Sequence, residues 1–213
     1  MDRNLGAIST TPGDVGALGL LYQRGRKDPF LGSSSISSNT EAKSTITWPS
    51  PVSSDSSTGT VDFVTSHPTT FVKAGSLSSK DWHYSSRDNT LWQSEKTIYD
   101  PCPVGWHVPN GGSNGVWQTA GFASTSYDSS NEGINFSISS PSTTWYPASG
   151  YRSNIDGALY DVGSNGYCWS ASPSSSGSNL AYDLFFNDLG DVYPSSSTDR
   201  ADGQSVRCLQ ESE

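Results

Sequence analysis

One stretch limits what this chain can become. In DPCPVGWHVPN, residues 100–110, prolines, a cysteine, a tryptophan and a histidine crowd together amid sequence rich in Ser, Gly, Asn and Thr. Three kinds of chemistry use such a cluster: a metal site, a catalytic centre, or an anchor that fixes turns and staples distant strands. The rest of the sequence has to decide among them.

The surroundings read like linker, with 32% hydrophobic residues and a mean hydropathy of -0.52, values that border on those of disordered chains. Seven Trp, ten Tyr and seven Phe argue the other way, because large rings build a core where aliphatic residues are scarce. A chain of 213 residues can bury one substantial core, so a single folded, loop-rich domain over residues 1–213 is expected. The net charge is -9 and no basic run gathers phosphates, which disfavours nucleic acid and anionic membrane as partners. No segment approaches the roughly 20 apolar residues of a membrane span. The start, MDRNLGAIST, lacks the apolar stretch of a secretory signal, as in a cytosolic protein or a piece of a longer exported one.

Three cysteines suit one disulfide and one thiol. Their pairing stays open at this level. A Cys102–Cys208 bond would close a loop of about 105 residues, worth about 4 to 5 kcal/mol in the chain-entropy account.

Local patterns place short elements along the chain. TTPGDVGALGLLYQRGRKDPF reads as an early helix, with Thr11 as cap, Pro12 in the first turn and Val15, Leu18, Leu21 and Tyr22 near one face; Gly16 and Gly19 weaken it. Residues 31–57 read as exposed loop with one strand at STITW. TVDFVTSHPTTFVKAG alternates like a strand broken at Pro68. SNGVWQTAGF suits a short helix capped by Ser113 or Asn114, with Val116 and Trp117 turned inward. From Asn135 onward NFSIS, TWYPASGYR, ALYDVG, GYCWSAS, LAYDLFFND, DVYP and SVRCLQ alternate with turn residues, the pattern of short strands in an α+β domain. In LAYDLFFND, alternation puts Leu180, Tyr182, Leu184 and Phe186 on one face and Ala181, Asp183, Phe185 and Asn187 on the other. Phe185 then reads either as an exposed contact residue or as part of a strand buried on both faces.

The constrained stretch lacks chemical partners. Cys102 and His107 have no second Cys or His pair at zinc spacing. FFNDLGD and NIDGALYD carry clustered carboxylates, but neither has the spacing of an EF-hand loop, so a structural calcium stays open without support. His67, His83 and His107 sit in Pro- or Trp-rich contexts without a nucleophile elbow, and Cys168 reads as a small half-buried residue more readily than as a reactive thiol. What remains is surface chemistry: the C-terminal third concentrates Tyr, Ser, Asn and Asp, the residues of adaptable binding loops.

Taken together, MDRNLGA, LGLLYQRGRKDPF, DPCPVGWHVPN, SGYR, GYCWSAS, AYDLFF and SVRC resemble the Fibrobacter succinogenes major paralogous domain, found in exported lipoproteins and surface proteins of Bacteroidetes and their relatives. The resemblance spans residue 1 to Cys208. It implies a C-type lectin-like fold of the type shared with formylglycine-generating enzymes: two short helices, a small twisted antiparallel sheet and long ordered loops. It also implies a Cys102–Cys208 disulfide, and Trp106 and Pro109 in the core. Because MDRNLGA already lies inside the family pattern, the chain is expected to be the C-terminal part of a longer exported protein at the cell surface.

The blocks from WYPASGYR onward further resemble the variable proteins of diversity-generating retroelements, which randomise adenine-containing codons. An AAC-type codon so treated yields mostly Asn, Ser, Asp, Tyr and Thr, with some Phe, Cys, Ile and Leu. That mixture occupies Ser153, Asn154, Ile155, Tyr160, Asp161, Asn165, Tyr167 and Cys168. It recurs at Ser174, Ser175, Ser176, Asn179, Asp183, Phe185, Asp188, Asp191, Tyr193, Ser195, Ser196, Ser197 and Thr198. Gly150, Arg152, Gly157, Trp169, Ala181, Arg200, Gly203, Val206 and Arg207 match the framework. The resemblance implies a hypervariable ligand-binding region over about residues 150–200, with Cys168 as a varied surface residue.

The calcium-binding tripeptides of sugar-binding C-type lectins and the paired active-site cysteines of formylglycine-generating enzymes have no match. The expected function is therefore a non-enzymatic binding module of an adhesin or pilus-tip protein, with no cofactor, whose partner is a protein or glycan on another surface. The rivals are a surface lipoprotein domain of fixed specificity, a phage tail receptor-binding domain, and an enzyme of the formylglycine-generating type.

Overall fold

Around Cys102 the backbone is held by one buried carboxylate. Asp100 accepts the amides of Cys102 at 2.8 Å and Val108 at 2.9 Å. Lys96 stands 3.3 Å from the same carboxylate and donates to the carbonyls of Cys102 and Trp106. The computed structural model that shows this describes residues 1–213 except 76, 77, 79, 86, 122, 123, 140, 141, 175–178, 212 and 213. Cys102 is bonded to Cys208, with Cα atoms 5.9 Å apart at a sequence separation of 106. Both sulfurs lie in a core of Tyr22, Trp92, Val108, Trp169, Ala171, Ala181 and Val206. Pro109 is buried as expected, whereas Trp106 is half-buried and packs on the edge of this cluster.

Aromatic residues build much of the interior. Trp82, Trp92 and Trp169 are almost fully buried, and each indole N–H finds a backbone carbonyl: Arg24 at 2.7 Å, Tyr99 at 2.9 Å and Tyr22 at 2.9 Å. A buried indole needs such a partner, so each tryptophan ties a loop to the core it fills. Gln23, also fully buried, donates to the carbonyls of Val72 and Ala201 and accepts from Arg26.

Two α-helices occur among the described residues, and both are short. α1 is Val61–Ser66, capped by the Thr60 hydroxyl on the Phe63 amide, with Asp62 in its first turn. The alternation of TVDFV suggests a strand, but the cap and the Pro68 stop win over a pattern only a few residues long. α2 is Val116–Ala120, with Trp117 buried. Its cap is Gly115, without a side-chain bond, so Ser113 and Asn114 both lie ahead of the cap position. The early helix expected over TTPGDVGALGLLYQRGRKDPF is absent. Val15–Ala17 make one 3-10 turn and the chain then extends as β1, Leu21–Gln23. Gly19 causes the break: its φ is +77°, and a Cβ there would lie 2.9 Å from the Leu5 carbonyl oxygen.

The remaining strands follow in order: β2 Val52–Ser53, β3 Val72–Lys73, β4 Trp106–His107, β5 Ser124–Asp128, β6 Gly133–Ser139, β7 Ser142–Pro147, β8 Tyr151–Arg152, β9 Leu159–Tyr160, β10 Asn165–Pro173, β11 Leu180–Asn187, β12 Val192–Asp199, β13 Gly203–Ser205 and β14 Leu209–Gln210. STITW forms no strand. The main sheet runs β12-β11-β10-β13-β8-β9, with β1 also paired to β13. It has seven strands and is not wholly antiparallel, since β10 and β13 meet in parallel at Cys168 and Ser205. Separate ladders join β5, β6 and β7, β4 with β14, and β2 with β3. The architecture is thus α+β, mostly sheet, with long ordered loops.

Each face of the main sheet packs against a core over part of its area. Cys168, Leu184 and Phe186 pack with Trp117, Ile134, Phe136 and Tyr146 on one side, while Trp169, Ala171 and Ala181 pack around the disulfide on the other. Gly166 lets Phe186 lie flat on β10, since a Cβ at that position would sit 2.0 Å from the Phe186 ring. The described residues include no helix long and apolar enough to cross a membrane.

Candidate binding face

Five aromatic rings form a continuous row across the main sheet. Tyr160 on β9 lies 6.0 Å from Tyr151 on β8, Tyr151 lies 5.2 Å from Tyr167 on β10, Tyr167 lies 5.0 Å from Phe185 on β11, and Phe185 lies 5.6 Å from Tyr193 on β12, all between ring centroids. Register explains the row: Tyr151 is directly opposite Tyr160, Tyr167 opposite Phe185, and Phe185 opposite Tyr193. Directly opposed residues share a face, and their side chains stand within ring contact.

The junction between β8 and β10 depends on Gly150. Its amide donates to the Asn165 carbonyl at 2.9 Å, which brings the start of β8 against the start of β10. The residue has φ +62°, and a Cβ there would lie 2.1 Å from the Tyr160 carbonyl oxygen. Only glycine combines that left-handed conformation with so close an approach.

The row is open at its ends and half-buried in the middle: Tyr193 is 52% exposed and Tyr160 40%, while Tyr151, Tyr167 and Phe185 are intermediate. Two hydroxyls are fixed by carboxylates. Tyr160 donates to Asp156 at 2.8 Å, and Tyr167 donates to Asp161 at 3.2 Å, where Asn165 also donates at 2.9 Å. Partial burial, together with Asp202 and Asp161 nearby, pushes the Tyr151 phenol up to about 12, so the tyrosine stays neutral across physiological pH.

The other residues of the expected variable region fall into distinct places. Asp188 and Asp191 are exposed at the β11–β12 turn, where Asn187 bonds the amides of Leu189 and Asp191. Ser195 donates to the Gly112 carbonyl on the α2 side of β12, and Ser197 is opposite Tyr182, so neither joins the row. Asn179 donates to the Ser78 carbonyl, away from the rings. Ser175 and Ser176 lie outside the described residues.

Five expected contact residues are buried and serve the framework. Cys168, expected on the surface, is a free thiol 3% exposed in the Phe186 cluster, and burial pushes it up to about 12. It alternates with Tyr167 and so faces the opposite side of the sheet. Asn154 uses both its amide and its side chain to reach Asp202, each at 2.8 Å. Ser153 is buried beside it and Ser174 lies at the end of β10, also buried. Asp183 is completely buried: Gln204 and Thr198 bond one carboxylate oxygen at 3.2 Å each, the other has no hydrogen-bond partner, and desolvation pushes the acid up to about 7.

The alternation of LAYDLFFND holds. Leu184 and Phe186 share one core, Ala181 lies in the other, and Phe185 stands half-buried in the row. The residue that sequence reasoning missed is Tyr151, grouped with the framework as part of SGYR. Its neighbour Gly150 was the available signal, since an isolated glycine beside a strand marks a close backbone approach.

No group of three or more His, Cys, Asp or Glu able to hold a metal ion occurs among the described residues. Compared with protein-family models, curated proteins and solved structures, the chain matches none.

Proposed function

We propose that this is a non-enzymatic ligand-binding domain of C-type lectin-like type, displayed on a bacterial surface adhesin or pilus-tip protein, whose aromatic face is diversified by a retroelement. The observation that carries the reading is the composition of the row. Four of its five rings, Tyr160, Tyr167, Phe185 and Tyr193, are residue types that randomised adenine codons supply, and they converge on one face from four different strands.

The framework supports it. Arg152, Trp169, Val206 and Arg207 are buried, so exchanges in the exposed row leave the packing beneath largely intact. The disulfide suits an oxidising compartment outside the cytosol. Tyrosine in such numbers gives large contact area at low conformational cost. A domain of fixed specificity is the second reading, favoured by the Tyr160–Asp156 and Tyr167–Asp161 hydrogen bonds, which hold two rings in place before any ligand arrives.

Sequencing this coding region in many isolates, together with its neighbourhood, tests the proposal. The expected result is variation concentrated at adenines in the codons of the row, constant codons for Trp169 and Val206, and a template repeat beside a reverse-transcriptase gene. A neighbourhood with neither repeat nor reverse transcriptase removes the diversification and leaves the fixed-specificity domain.

A further inference from the structure

A cleft of about 310 Å³ opens at the Tyr160 end of the aromatic row. Its walls include Phe30, Trp48, Phe71 and two acids, Glu41 and Asp156, with Arg152 beneath. Asp156 belongs to both features, since it lines the cleft and accepts the Tyr160 hydroxyl. Row and cleft are therefore one continuous surface.

Among the described residues that line the cleft, two are acidic, Glu41 and Asp156, and one is basic, Arg152. Glu41 and Asp156 stand in the cleft, Asp161 holds the Tyr167 hydroxyl, and Asp188 and Asp191 are exposed at the β11–β12 turn. Arg152 is already committed: its guanidinium lies 2.7 Å from Glu41 and donates to the carbonyls of Leu31 at 2.8 Å and Gly157 at 2.7 Å. An anionic ligand would meet carboxylates with nothing to neutralise it. A cation finds the opposite, with ring faces that attract positive charge and phenol hydroxyls already donating to carboxylates. Ring centroids stand 5.0 to 6.0 Å apart along the row. Alternate side chains of an extended peptide are about 6.6 Å apart on one face, close enough to meet successive rings.

We propose that this surface binds an extended, positively charged protein segment, with one Lys or Arg side chain seated in the cleft between Trp48 and the carboxylates of Asp156 and Glu41, and alternate residues laid along the row. The proposal rests on the reading of the row as the ligand-binding face. It names a partner by charge and shape: a basic strand-like segment.

The test uses the whole chain and three synthetic peptides that alternate Ser with Arg, with citrulline, or with Glu, titrated calorimetrically. The Arg peptide is expected to bind, the citrulline peptide to bind roughly 3- to 30-fold more weakly, as loss of a cation–π contact implies, and the Glu peptide not to bind. Asp156→Asn and Tyr193→Ala should each weaken the Arg peptide several-fold, while Asp2→Asn, which removes an exposed carboxylate paired with Arg3 outside this surface, should leave it unchanged. An Arg peptide that fails to bind, a citrulline peptide that binds as well, or equal losses in Asp156→Asn and Asp2→Asn would overturn the proposal. A neutral glycan held only when Tyr160 and Tyr193 are intact would overturn the basic partner and keep the row as binding face. Arg-peptide binding that survives Tyr160→Ala with Tyr193→Ala would overturn both.

Discussion

The Asp100 carboxylate accepts the Val108 amide at 2.9 Å across the turn that carries Cys102, whose own amide it also holds at 2.8 Å. One buried side chain thus shapes the most constrained stretch of the sequence. Replacing it, Asp100→Ala, leaves two amides unpaired and frees Lys96, with an expected loss of about 2 to 4 kcal/mol. Urea unfolding with the disulfide intact measures it, and an unchanged midpoint would show that the prolines alone set the turn.

The Cys102–Cys208 bond ties the last strands to the centre of the chain. Cys102→Ala with Cys208→Ala should lower stability by about 4 to 5 kcal/mol in the chain-entropy account. Unfolding of the double variant, compared with the oxidised and reduced parent protein, gives the value; the reduced parent should match the variant closely.

Two buried acids make stability depend on pH in the direction opposite to ordinary acid denaturation. Burial raises Asp183 to about 7 and Asp202 to about 6, whereas an unfolded Asp titrates near 3.9. Between those values the native state holds protons that the unfolded chain has released, so stability declines as pH rises from about 4 to about 7. Urea midpoints at about pH 5 and about pH 7 should show this fall. Asp183→Asn, which keeps an acceptor for Gln204 and Thr198, should flatten most of it and raise stability at the higher pH.

Gly150 is the position where backbone conformation and the aromatic row meet. Gly150→Ala introduces a Cβ 2.1 Å from the Tyr160 carbonyl oxygen at a φ of +62°, and a loss of about 2 kcal/mol or more is expected from strain and displacement together. Thermal unfolding reads the stability, and near-ultraviolet circular dichroism of the tyrosines reads the break between Tyr151 and Tyr167.

The C-terminal strands were legible in the sequence because turn residues bracket short alternating runs such as GYCWSAS and LAYDLFFND. The N-terminal half was not. Leu18, Leu21 and Tyr22 match helical spacing, yet β1 forms along β13, nearly the whole chain away, and Leu21 bridges Phe30 as well; the longer of these pairings lies outside any local window. The same holds for the row. Tyr167 and Phe185 were identifiable as candidates one at a time, but their contact with Tyr151 follows from strand order. Buried Asp183 and Cys168 misled for a related reason: their residue types fit a varied surface, and only sheet geometry shows that two neighbouring cores claim them.

β13 lies at the middle of the main sheet, with β1, β8 and β10 all bonded to it. Leu21 pairs with Ser205 across most of the sequence and also bridges Phe30 close by. The centre of the sheet is thus assembled from segments far apart in the sequence. The local bridge can form on its own, but completing the sheet requires β1 and β13 to meet across a long stretch of chain, and such distant pairings bring slow folding kinetics.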